Sequence, residues 1–91
     1  MEKNYLQCIT NEGRSSREYA VTVLLYGNKE INGFLNKRHF KNSKTLEVTV
    51  IGEENEKALV IFPKGLKVDQ GWVQLEKLAI WRFSKHFNSK K

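Results

Sequence analysis

A segment in the middle of the chain, residues 34–44, combines the residue types that bind nucleic acid. Aromatic and imidazole rings are interspersed with cations there, and the segment contains no acid. Cations neutralise phosphates and rings stack on bases, so this composition is typical of a nucleic-acid-facing segment. The alternative is a solvated, positively charged loop between two strands. The cations are Lys37, Arg38, Lys41 and Lys44, and the rings are Phe34, His39 and Phe40.

The nucleic-acid hypothesis assigns a role to each side chain. The four cations contact phosphates, and a ring from Tyr19, His39 or Phe40 stacks on bases. Lys64 and Lys67 extend the track of positive charge along the surface. For each ring the competing placement is the hydrophobic core.

The overall charge agrees with a polyanionic partner. The chain of 91 residues has a net charge of +6 and a pI near 9.6, and such a domain attracts DNA, RNA or acidic partners. Arg14 and Arg17, which flank two serines, form a further basic cluster that could bind phosphate. The length predicts one domain over residues 1–87, followed by a short basic tail over residues 88–91.

Catalytic and metal-binding patterns are absent from the sequence. His39 and His86 have no carboxylate or nucleophile at a telling spacing, and one cysteine with two histidines makes no zinc motif. Three glutamates cluster between residues 53 and 56, where a turn is expected rather than a desolvated cleft. The sequence therefore predicts neither an enzyme nor a cofactor or metal.

Cys8 is the only cysteine, so no internal disulfide can form. No long apolar stretch of the kind found in signal peptides or membrane spans is present. We therefore expect an intracellular location, in the cytoplasm, the nucleus or an organelle, and no membrane partner.

Several segments have the alternation and β-branched content of strands. These are residues 5–10, 18–26, 45–51 and 58–62, while the basic segment reads as an irregular strand or a loop. The last two are close enough to form an antiparallel hairpin with the acidic turn at its tip. Residues 58–62 are apolar throughout, which predicts burial on both faces. Turns are expected around residues 27–30 and at Asn32 and Gly33.

The apolar spacing becomes helical after Asp69, a good N-cap residue. Trp72, Leu75, Ala79 and Phe83 follow the helical repeat, which predicts a helix over residues 71–86. The expected fold is α+β: an antiparallel sheet of four to five strands with one C-terminal helix packed on a face.

Residues 62–75 resemble the closing segment of the positive-cofactor-4 family of transcriptional coactivators. The matching positions are Pro63, Gly65, Lys67, Trp72 and Leu75. The resemblance implies a curved antiparallel sheet, a dimer mediated by the helix and binding of single-stranded nucleic acid. The plant Whirly proteins are similar in their broader sheet-then-helix plan and bind single strands too.

Two functional hypotheses follow. The first is a small basic domain that binds nucleic acid, single-stranded DNA or RNA, through the basic loop and a sheet face. The second is a protein-interaction or dimerisation module without a nucleic-acid role, in which Trp81 and the apolar stripe of the helix form a homodimer interface or a docking face.

Overall fold

The computed structural model of the chain describes residues 2–78, and the side chains from Lys3 onward. Eight strands, two short 3₁₀ helices and their connecting turns make up this part of the chain. The strands are β1 (Glu2–Gln7), β2 (Ile9–Glu12), β3 (Glu18–Leu25), β4 (Lys29–Asn36), β5 (Phe40–Asn42), β6 (Thr45–Glu54), β7 (Lys57–Ile61) and β8 (Gln70–Gln74), and the 3₁₀ helices are Lys37–His39 and Leu75–Lys77.

The strands form two antiparallel sheets. One sheet has the order β1-β6-β7-β8, with β5 paired to the start of β6, and the other has the order β2-β3-β4. Cys8 alone separates β1 from β2, so one stretch of chain passes from the first sheet to the second. Its N–H donates to the Lys44 carbonyl at 3.0 Å, which ties this crossing point to the start of β6.

Strand alternation explains how the two sheets share one core. In β3 the side chains of Val21 and Val23 point inward, and in β6 those of Leu46, Val48 and Val50 do the same. Burying each such side chain contributes about 1.5–3 kcal/mol before entropic costs. The buried apolar set is Leu6, Val21, Val23, Ile31, Leu35, Leu46, Val48, Val50, Ala58, Val60, Phe62, Val73, Leu75 and Leu78.

The connection from β7 to β8 packs closely on β4. A side chain at Gly33 would overlap the Gly65 carbonyl oxygen, so the absence of a Cβ lets the two backbones approach. Gly65 has a φ of 129°, a conformation that L side chains rarely adopt. At the other edge of β8, the Tyr26 N–H donates to the Trp72 carbonyl at 2.8 Å and joins the two sheets.

The predicted α+β class is wrong for the described residues, which form two β-sheets. Residues 70–74 are strand β8 and not the start of a helix. Val73 points into the core and Trp72 lies on the outer, half-buried side, which is the two-residue period of a strand. Asp69 caps no helix, and its carbonyl accepts a hydrogen bond from the Phe62 N–H at 2.9 Å.

The proposed homodimer through a C-terminal helix is wrong for the same reason. The segment predicted to begin that helix is strand β8, which pairs with β7. Leu75–Lys77 form only a 3₁₀ turn. The rest of the predicted helix, with Ala79, Trp81 and Phe83, lies outside the described residues.

Other expectations have mixed outcomes. The hairpin of β6 and β7 is confirmed, with its turn at residues 55–56. Residues 58–62 are not buried on both faces, because Ile61 is 36% exposed on the outer side. Asn32 and Gly33 lie inside β4 and not in a turn.

Candidate nucleic-acid interface

The sheet register gathers several basic residues at one end of the molecule. β3 begins and β4 ends at this end, because Glu18 pairs with Asn36. β5 and the start of β6 lie there as well, and the Thr10 hydroxyl donates to the Ser43 carbonyl at 2.5 Å. We call this region the basic end, defined by Arg14, Arg17, Lys37, Arg38 and Lys41.

Local hydrogen bonds fix the backbone that carries these cations. The Asn36 side chain accepts from the Arg38 N–H at 2.9 Å and caps the 3₁₀ turn Lys37–His39. The Lys37 N–H donates to the Arg17 carbonyl at 2.8 Å, which links this turn to the loop after β2. Asn42 accepts from the Lys44 N–H at 2.8 Å. The basic segment is therefore an ordered corner, not an unstructured loop.

Each of three cations at the basic end lies over an aromatic ring. The Lys37 ammonium is 4.9 Å from the centroid of Tyr19, and the Lys41 ammonium is 5.2 Å from that of Tyr5. Such a contact contributes about 0.5–1 kcal/mol at an exposed site. The third contact joins Arg14 and Phe34 at 4.3 Å.

Tyr19 also contacts Phe40, the second predicted stacking residue. Their ring centroids are 5.0 Å apart and the planes meet at 85°, an edge-to-face arrangement. Both rings are half-buried. The structure therefore brings Tyr19, Phe40 and Lys37 together, as the hypothesis requires, but the rings contact each other and a lysine.

An open cleft of about 770 Å³ lies beside Tyr19 and Lys37, bounded by the loop after β2 and by Ser43. Arg14 and Glu18 meet across it, with Arg14 Nε 2.8 Å from Glu18 Oε1. The hydrogen bond from Arg14 lowers the pKa of Glu18, and its charge supports the same direction against slight desolvation. Arg14 is thus already paired with a carboxylate, which makes it a weaker phosphate ligand than Lys37.

His39 does not line this cleft. It lines a cleft with Lys3, Glu47 and Pro63 on the outer side of the first sheet. Burial lowers the pKa of His39, the Arg38 charge lowers it further, and Glu47 opposes the shift. The imidazole is therefore mainly neutral at pH 7 and adds no cation to the basic end.

The remaining predicted site residues are dispersed. Lys44 follows the basic segment, but it lines a cleft with Ile9, Thr22 and Leu24 on the outer side of the second sheet. Lys64 and Lys67 are exposed on the connection that packs on β4. The structure shows no contact joining either of them to Lys37 or Lys41.

The opposite end of the molecule carries the acids. Glu53, Glu54 and Glu56 lie at the β6–β7 turn, and the Tyr26–Asn28 turn lies beside Glu56. Lys57 there is sandwiched between rings, 5.1 Å from the centroid of Tyr26 and 5.0 Å from that of Trp72. Cation–ring contacts therefore occur at both ends, and only the surrounding charge distinguishes them.

Sequence reasoning missed Tyr5 as part of the site. Lys41 reaches Tyr5 because β5 and β1 both pair with β6, a register that no local pattern reveals. The Arg14–Phe34 contact likewise depends on the pairing of β3 with β4. Predicting the contacts of Lys41 with Tyr5 and of Arg14 with Phe34 would have required knowledge of the strand pairing.

No group of three or more histidine, cysteine or acidic side chains within residues 2–78 could hold a metal ion. The described part of the chain has no helix long and apolar enough to cross a membrane. Comparisons with protein-family models, curated proteins and solved structures find no match to this chain.

Proposed function

We propose that this domain binds nucleic acid through its basic end. The observation that supports it most is that Lys37 and Lys41, two exposed cations on one short segment, each lie over an aromatic ring. Within residues 2–78 the salt bridges join Lys3 to Glu47 and Arg14 to Glu18, so neither lysine is paired with a carboxylate there. Arg38 adds a third charge on the same turn.

A single strand is the form of nucleic acid that fits this surface. The cations lie on two separate connections around the end of two sheets, and not along one straight row. A flexible strand can bend to meet them, whereas duplex DNA is stiff over tens of nanometres.

The acidic end supports a defined orientation. Glu53, Glu54 and Glu56 repel a polyanion, so the field of the molecule directs a strand toward the opposite end. The dimerisation hypothesis depended on a C-terminal helix whose first residues are strand β8. Among the described residues, no other observation supports that hypothesis as the basic end supports nucleic-acid binding.

The test compares two charge-matched variants. K37Q/K41Q removes the two lysines of the basic end that lie over rings. K29Q/K57Q removes two lysines from the opposite end, including Lys57, which also lies over rings. We expect the first variant to bind a fluorescent single-stranded oligonucleotide about tenfold or more weakly, because two charge-assisted phosphate contacts are lost. The second variant should bind within about twofold of wild type.

Two outcomes would count against the proposal. One is wild-type protein that binds neither single- nor double-stranded oligonucleotides at low salt. The other is an equal loss in both variants, which would show that net charge acts without a defined surface. Circular dichroism of each variant establishes that the fold is intact.

A further inference from the structure

The rings at the basic end are already covered by the protein's own cations. Tyr19 and Tyr5 are half-buried, so each offers only part of its surface to solvent. Lys37 and Lys41 lie over these rings at 4.9 and 5.2 Å from the centroids. A stacked base needs the same ring face, at a similar centroid distance. A base that stacks on that face must therefore displace the lysine.

Cation–ring contacts are frequent in this molecule. The described part of the chain has five of them, three at the basic end. The other two share Lys57 at the opposite end.

The contact leaves the ammonium group able to bind a ligand. A lysine has three N–H donors and no acceptor. A ring below the ammonium group attracts its positive charge but does not occupy every donor. A phosphate oxygen can approach from the solvent side while the ring stays in place. The rings then restrict the lysines to positions useful for binding and lower the entropic cost of ordering them.

We infer that Tyr19 and Tyr5 act as supports that hold Lys37 and Lys41 for phosphates, and that the domain binds the phosphodiester backbone without stacking on bases. This inference rests on the proposed function and narrows its ligand class to the sugar–phosphate chain. Preference for a single strand then comes from the flexibility of the strand and not from its exposed bases.

The experiment compares two ligands of equal length and charge. One is a deoxythymidine oligonucleotide, and the other is a strand of abasic tetrahydrofuran units. We expect wild-type protein to bind both within about twofold, since each stacked base would otherwise change the affinity by about fivefold or more. Weaker binding of the abasic strand by that factor overturns the inference while leaving the proposed function intact. No binding of either strand overturns both.

Variants at Tyr19 give a second, independent readout. Tyr19→Leu should weaken binding about two- to fivefold for both ligands, because Lys37 loses its support. Tyr19→Phe keeps the ring and should bind as wild type. In a K37Q background, Tyr19→Leu should cause no further loss, since the ring then has no cation to hold. A loss seen only with the base-bearing strand would show stacking and contradict the inference.

Discussion

Cys8 shows how the fold sets the chemistry of a single side chain. The residue lies where the chain passes from one sheet to the other and packs against the core. Burial raises the pKa of its thiol from 9.0 to about 11. Since the thiolate and not the thiol is the nucleophile, Cys8 is inert near neutral pH.

The first prediction concerns the alkylation of Cys8. At pH 8 iodoacetamide should modify the native protein much more slowly than the urea-unfolded chain, whose thiol ionises near its ordinary pKa of 9.0. Because the folded pKa is raised, this thiol contributes stability below about pH 9 that is lost as the pH rises toward 11. Mass spectrometry gives an unambiguous readout, because the chain has one cysteine. Equal rates in the two states would contradict this assignment.

At the scale of elements, local pattern predicted strands well where the partner was near in sequence. The β6–β7 hairpin follows from two alternating segments joined by a short polar turn, all within a few residues. The sequence did not predict the first half of β4, because Asn32 and Gly33 are residues typical of turns. Gly33 is needed instead for the close approach of Gly65, which lies far away in sequence.

The helix prediction was wrong because its first residues fit both the apolar spacing of a helix and that of a strand. Trp72 and Leu75 match a helical spacing, while Gly71, Val73 and Leu75 match the inner side of a strand. Local sequence does not separate these alternatives over so short a run. The open edge of β7 favours the strand over the helix, because β8 pairs with that edge along five residues, from Lys57–Gln74 to Ile61–Gln70.

The second prediction tests this strand assignment by mutation. Val73→Ala should lower the free energy of unfolding by about 2 kcal/mol, because the fully buried side chain leaves a cavity. Trp72→Gln should cost about 1 kcal/mol or less, since the ring lies on the outer side. Urea unfolding followed by circular dichroism measures both. A helix with Trp72 in the core would give the reverse order.

At the scale of the whole molecule, the basic segment and the acidic β6–β7 turn lie at opposite ends, although Glu18 lies at the basic end and Lys57 at the other. The sequence showed the run from Lys37 to Lys44 and the acidic cluster, but not their arrangement. Composition was enough to propose Lys37 and Lys41 as phosphate ligands, because both lie in the one segment rich in cations and rings. It could not show that His39 and Lys44 line other clefts, because a side chain's direction depends on pairing with distant strands.

The third prediction uses salt to count the phosphates that this end neutralises. For single strands, the slope of log affinity against log salt concentration is about −0.7 for each phosphate contacted. K37Q/K41Q should therefore reduce the steepness of that slope by about 1.4, the sum of two contacts. K29Q/K57Q should leave the slope unchanged, although it removes the same charge.

The comparison between variants matters more than the wild-type slope itself. Residues 79–91 contain four further cations and no acid, and any contribution they make is common to both variants. A polyanion held by diffuse attraction responds to net charge, so the two slopes would then change together. A strand seated at the basic end responds only to the loss of Lys37 and Lys41. The difference between the two slopes therefore measures how local the interaction is.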